Sequence, residues 1–297
     1  MTDPTRGGMR LGPVRPWSRD FCRIVSWNIE RGLQFPKILD FLRTIQADLL
    51  LLQEVDLNAR RTRYRDVASD LAQALNFNHA FGMEFQELSE GTSARPAFHG
   101  MATLSPWPLS KVRIIRFRDQ STFWQPRWYV PDLAVFQRRI GGRIALVAEA
   151  AIYGRKVVTY NLHLESRGAD ALRLQQLNEV LEDSRRYVDQ PIFVVAGDFN
   201  LNAGEGGAAE VLRNAGFYDV VQSSQSPTST AHGLSHHARP IDWIFVSDTP
   251  NSQGRVHDDI HASDHFPVSA MLARPSGAQD RVSSMSTPKG TVFPIQD

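Results

Sequence analysis

PIFVVAGDFN, residues 191–200, is the stretch on which the reading of this chain turns. Ile192 to Ala196 is a short aliphatic and β-branched run with the length of a buried strand, and it passes directly into Gly197, Asp198, Phe199 and Asn200. A strand that ends in a carboxylate and an amide fixes both at a rigid edge, next to loops that can admit a ligand. A Gly-Asp-X-Asn turn alone is more often structural, because Asp and Asn satisfy turn backbone. Here five further polar signatures repeat the arrangement.

Working outward, these are SWNIE with Asn28, LQEVD with Glu54, NLHLES with His163, PIDWIF with Asp242, and SDHFPV with Asp264 and His265. Strands are expected at Arg23–Trp27, Asp48–Gln53, Val157–Leu162, Ile241–Val246 and Val268–Leu272, so Asn28, Glu54 and His163 each follow one, while Asp264 and His265 precede one. Ile38, Phe41, Leu42 and Ile45 share a helical face, as do Val67, Leu71 and Leu75, then Leu174, Leu177 and Leu181, then Ala208, Val211, Leu212 and Ala215. Pro36 suits a first helical turn and Gly216 a helix stop. From Gly100 to Ala151 strand signals dominate: GMATLS, Val112–Phe117, Leu133–Gln137 and Ile144–Ala148, with Gly141-Gly142 as a turn. Two sheets packed face to face, with helices outside each, fit this alternation.

Residues 1–20 carry Arg6, Arg10, Arg15 and Arg19 among prolines and read as a disordered arm; 274–297 reads as a Ser-, Pro- and Gly-rich tail. The signatures are shared across 21–273, which reads as one catalytic domain. No run approaches the ~20 apolar residues of a membrane span, no signal-peptide core is visible, and Cys22 is the only cysteine. A cytoplasmic monomer with no stable membrane insertion is expected. The net charge is only +1, which excludes a strong overall attraction to nucleic acid but leaves room for a local patch. Arg60, Arg61, Arg63 and Arg65, just after Glu54, are candidates for it.

Carboxylate and amide oxygens, with no Cys or His cluster at zinc-like spacing, suit Mg²⁺ or Mn²⁺, and Glu54 is the first candidate ligand. Histidine near neutral pH supplies both a proton donor and a cationic hydrogen-bond donor. His79, His99, His232, His257 and His261 carry no motif and read as exposed bystanders, and His236 and His237 lie in the loop before Asp242. Trp124, Trp128 and Tyr129 either stack on a base or lipid, or cover a sandwich edge.

In this order, from Arg23 to Leu272, the six signatures resemble the endonuclease/exonuclease/phosphatase superfamily. The resemblance implies a four-layer α/β sandwich of two packed, mainly antiparallel sheets flanked by helices. It implies a metal shell of Glu54, Asn28 and Asp264, with Asp198 orienting and deprotonating the attacking water and Asn200 donating to the nucleophile or phosphoryl oxygen. His265 becomes the partner of the phosphoryl group, Asp242 fixes its tautomer, and His163 contacts a non-bridging oxygen. HLESRGADALRLQQL further resembles the 5′-tyrosyl-DNA phosphodiesterase branch at Arg167, Arg173 and Gln176, although AGDFN replaces that branch's threonine-containing loop. The leading expectation is a Mg²⁺-dependent phosphodiesterase on nucleic acid, with Arg61 and Arg167 on substrate phosphates. A phospholipid head group or small phosphorylated metabolite is the alternative substrate, and a non-catalytic binding protein on the same scaffold the third reading.

Overall fold

A computed structural model of the chain describes residues 5–8, 21–121, 138–202, 207–221, 226–230, 238–247 and 252–273. In chain order these form β1 (Thr5–Gly8), β2 (Phe21–Arg31), α1 (Phe35–Ile45), β3 (Leu49–Ala59), β4 (Arg65–Asp66), α2 (Val67–Leu75), β5 (Asn78–Glu87), β6 (Ala97–Ser105), β7 (Leu109–Arg116) and β8 (Arg139–Gly141). There follow β9 (Ile144–Ile152), β10 (Arg155–His163), α3 (Asp170–Ser184), β11 (Ile192–Asp198), α4 (Ala208–Asn214), β12 (Tyr218–Asp219), β13 (Asp242–Val246), β14 (Gln253–Val256) and β15 (Val268–Ala273). The expected strand at 133–137 lies outside the described residues, as do Trp124, Trp128, Tyr129, His232, His236 and His237.

Sheet A runs β1-β5-β6-β3-β2-β15-β14, with β4 on β3 and β8 on β5; sheet B runs β12-β13-β11-β10-β9-β7. Each sheet is antiparallel except for one pair, β2 with β3 and β10 with β11. Each of those two pairs is joined through a helix, α1 and α3 respectively, as parallel neighbours require a crossover. Thr5–Gly8, inside the stretch expected to be a disordered arm, corrects that expectation locally by pairing with β5. Strand β5 itself carries no sequence signal, because Gly82, Asn78 and two glutamates interrupt its apolar pattern.

Alternation along the strands builds the three largest cores. Ile24, Leu49, Leu51, Val194, Ala196, Ile244, Val246, Val268 and Ala270 meet between the sheets. Val25, Trp27, Leu50 and Leu52 face the other way, onto Ile38, Leu42, Ile45 and Leu71 of α1 and α2. Val158, Tyr160, Val195 and Phe245 likewise face Leu177, Leu181 and Leu212 of α3 and α4. The layers are therefore helices, sheet A, sheet B, helices.

Candidate active site

The alternation that makes the inter-sheet core also makes the site. Toward one edge the same face turns polar on four central strands: Ile24, Ser26, Asn28 on β2; Thr159, Asn161, His163 on β10; Val194, Ala196, Asp198 on β11; Val246, Ile244, Asp242 on β13. Beneath this edge Gln53 donates to Asn161 Oδ1 (2.7 Å), and Asn161 donates to the carbonyls of Leu52 and Ala102. This polar layer, which sequence reading did not single out, ties the sheets together just below the site. Both amide NH2 groups find acceptors, Gln53 also donating to Leu51 O (2.9 Å), which makes their burial tolerable.

Glu54 breaks the alternation. Leu52 faces outward and Gln53 inward, and the register slips between Leu52 and Val55, so Glu54 is the extra residue of a β-bulge, with φ 51°. A bulge re-aims a side chain and bends the strand, here at a cost of order 1 kcal/mol for the left-handed backbone. Asn200, after β11, is also left-handed at φ 53°. Burial pushes the Glu54 carboxyl up, but Arg31 (3.3 Å), with Arg143, outweighs it and holds the group well below the usual carboxylate range.

Asp198 is the hub. Its Oδ2 accepts from Asn28 Nδ2 (3.2 Å) and faces His163 Nε2 (3.5 Å) and His265 Nε2 (3.8 Å), while Oδ1 accepts from Asn200 N (2.9 Å). Leu164 N donates to Asp198 O and Phe199 N to Ile241 O, so the loop is pinned from both flanking strands. Asn200 Nδ2 donates to Leu164 O and Arg239 to Asn200 O.

Asp198 and Asp242 are register partners on β11 and β13. Like charges directly opposite are unfavourable, and an imidazolium relieves them. His265 Nδ1 donates to Asp242 Oδ2 at 2.8 Å, and Thr228 Oγ1 donates to the same oxygen at 2.7 Å. Burial alone would lower the His265 pKa, but Asp242 and Asp198 overcome it and push it up to about 10. Trp27 Nε1 grips His265 O, while Ser263 Oγ donates to Asn28 O and approaches Asp264 Oδ1, so Asp264 is held beside Asn28.

Asn28, His163, Asp198, Asn200, Asp242 and His265 thus converge in one constellation of hydrogen bonds and charge contacts, with Glu54 in its field. Of the two arginines expected on substrate, Arg61 is engaged within the fold and Arg167 is exposed. Arg61 is bidentate on the buried Asp56 (2.7 Å to each oxygen) and reaches Glu87 (3.2 Å). Arg167 is exposed, its backbone N–H donating to Glu165 Oε1. Arg173 and Gln176 fasten the His163 loop, through Glu165 O and Glu165 N respectively. His99, expected to be an exposed bystander, is fully buried against Asp56 at 3.1 Å. Only its alternation with Met101 and Thr103 on the inward face of β6 could have revealed this.

Two sets of side chains bear on a cation. Asp198, Asp242 and His265 each offer a ligand atom within 4.8 Å of the others, but the Asp242–His265 hydrogen bond already joins two of them. Glu54, Asn28 and Asp264 offer only oxygen, with Glu54 already ionised, and this donor set fits a hard divalent ion.

The model of the Endonuclease/Exonuclease/phosphatase family matches residues 25–265. No curated protein matches the chain as a relative. Among solved structures, an endonuclease/exonuclease/phosphatase from Beutenbergia cavernae is 20% identical, with a TM-score of 0.61 over 86% of this chain and 72% of that one. TDP2 from Caenorhabditis elegans is 17% identical (TM-score 0.59; 85% and 74% covered). The human Nocturnin catalytic domain, with bound sulfate, is 19% identical (0.60; 85% and 94%). These likenesses establish the shared sandwich fold.

Proposed function

The chain belongs to the endonuclease/exonuclease/phosphatase family, and from that premise we propose that it is a Mg²⁺- or Mn²⁺-dependent phosphodiesterase acting on nucleic acid. The observation that carries the reading is the convergence of Asn28, His163 and His265 on Asp198 Oδ2, beside an ionised Glu54. Glu54, Asn28 and Asp264 would hold the divalent cation, which when bound would neutralise charge on the phosphoryl oxygens. Asp198, freed from Asn28 or sharing its oxygen, orients and deprotonates the attacking water. Asn200 donates to that nucleophile or to the phosphoryl oxygen. The His265 imidazolium, kept charged by Asp242, donates to the phosphoryl group, as does His163 from the opposite strand.

Nucleic acid is favoured by exposed guanidinium groups near the Glu54 end of sheet A. With Arg61 committed to Asp56 and Arg65 paired with Asp70 (2.8 Å), the exposed Arg60 and Arg63, together with Arg167, are the candidates for flanking phosphates. No helix among the described residues is long and apolar enough to cross a membrane.

The test is a product-resolved screen of DNA, RNA, nucleotide, phospholipid and metabolite phosphates, with Mg²⁺, with Mn²⁺ and in chelator. Metal-restored cleavage of oligonucleotides, weakening with salt as phosphate contacts do, is expected. Turnover of lipid or metabolite esters with no oligonucleotide cleavage would replace the substrate and keep the chemistry. Full turnover in excess chelator after dialysis would end the metal-dependent reading.

A further inference from the structure

Arg143 stands where the chain passes from one sheet to the other. β8 belongs to sheet A and β9 to sheet B, and Gly141–Gly142 carry the backbone between them. At Gly141 (φ 146°) a Cβ would fall 2.0 Å from Glu84 O, so only glycine allows the approach, and Gly142 N donates to that same carbonyl (3.0 Å). Glu84 is itself the extra residue of a bulge in β5, between Met83 and Phe85.

This close docking delivers Arg143, only 3% exposed, between Glu84 and His163. Its Nη1 donates to Glu84 Oε1 (3.1 Å) and faces His163 Nδ1 at 2.8 Å, while Nη2 donates to Ser166 Oγ (3.0 Å). A guanidinium has donors only and keeps its proton in proteins. The nitrogen that faces it at 2.8 Å must therefore carry a lone pair. Were Nδ1 protonated, it would press an N–H against the guanidinium N–H at 2.8 Å out of water, with only the longer contact to Glu84 Oε2 (3.4 Å) to offset it.

We infer that Arg143 is a positioning residue that fixes His163 as its Nε2–H tautomer, so that this ring presents an N–H, never a lone pair, to Asp198 and to the phosphoryl group beside it. What the N–H meets rests on the phosphodiesterase reading; the tautomer does not.

Long-range ¹H–¹⁵N NMR of histidine-labelled, metal-free protein reads the tautomer, with the His163 signals identified by their loss in His163→Gln. The native protein should show an unprotonated Nδ1 and a protonated Nε2. In Arg143→Met the proton should move to Nδ1, with Glu84 its remaining partner. In the same variant kcat on bis(p-nitrophenyl) phosphate should fall about 10²-fold, the scale for losing one preorganised donor, with KM moving less. A native Nδ1–H, or an Arg143→Met spectrum unchanged at His163, would overturn the inference. The native spectrum alone can do so if the variant fails to fold. The expected native tautomer in a protein that hydrolyses no phosphodiester would leave the inference standing and remove only the functional reading.

Discussion

His265, from the loop entering β15 of sheet A, and His163, at the end of β10 in sheet B, aim Nε2 at the same Asp198 oxygen, at 3.8 and 3.5 Å. What stands behind each ring differs. Asp242 lies 2.8 Å from His265 Nδ1, whereas the guanidinium of Arg143 lies 2.8 Å from His163 Nδ1. A carboxylate behind an imidazole keeps it charged; a guanidinium behind one forces a lone pair onto the nearer nitrogen. One residue type thus supplies a cationic donor and a neutral donor to one carboxylate oxygen, and the side chain behind each ring makes the choice.

The comparison turns on the shared acceptor, and removing its charge should have the largest effect. Asp198→Asn keeps the shape of the side chain and its place on β11, but abolishes the basicity assigned to it. Turnover on a small phosphodiester should fall about 10³-fold, within the range for general-base loss, with little change in Tm. Activity within a few-fold of wild type would remove Asp198 from its role.

Next comes the His265 side. His265→Ala should cost about 10²-fold in kcat. Asp242 acts through the ring, so Asp242→Asn should add little in that background, the non-additivity of residues working as a unit. Fully additive losses would give Asp242 an independent role and dissolve the symmetry with Arg143.

A smaller effect separates the two rings by pH. The folded His265 pKa of about 10 lies above the unfolded value of about 6.5, so its stabilising contribution is complete below about pH 6.5 and is lost as pH rises through about 10. In chelator, the difference in urea midpoint between wild type and His265→Ala should shrink across that window. A difference that is constant with pH would mean the imidazolium is not what Asp242 and Asp198 hold.

The smallest expected effect on catalysis is at the arginines. Arg167→Ala should cost a few-fold in oligonucleotide cleavage and nothing on the small reporter, with stability within about 0.5 kcal/mol, as for a surface change. Arg61→Ala should instead lower stability by about 3 kcal/mol, the lower end for unpairing a buried charge, since it leaves Asp56 with His99 alone. Equal losses on both substrates in Arg167→Ala would argue against a polymer contact there.

Much of the sandwich was legible because period-2 alternation and helical faces are local: Arg23–Trp27, Val157–Leu162, Ile192–Ala196 and Val268–Leu272 lie within strands, and Asp48–Gln53 and Ile241–Val246 each start one residue before theirs. The residues that escaped sequence reading share a different trait. Glu84 sits at a bulge, which breaks the period by inserting a residue. Arg143 looked like the residue after a hairpin turn, yet the turn links two different sheets. Arg61 looked like part of a basic rim because its neighbours Arg60 and Arg63 are exposed, while its own guanidinium is drawn to Asp56, which no charge pattern along the chain would single out.

The amino-acid sequence by itself determined the layers and marked Asn28, Glu54, His163, Asp198, Asn200, Asp264 and His265 as candidates, because each follows or precedes a run of apolar residues that must be buried, while Asp242 stands within one. Only the tertiary structure decided the protonation of the two imidazoles. That depends on which buried charge lies against each Nδ1, and both partners arrive from distant sequence: Asp242 lies 23 residues before His265, and Arg143 20 residues before His163. Burial determines which groups are out of water, but strand register and a glycine crossing determine whether a carboxylate or a guanidinium is the neighbour that replaces it.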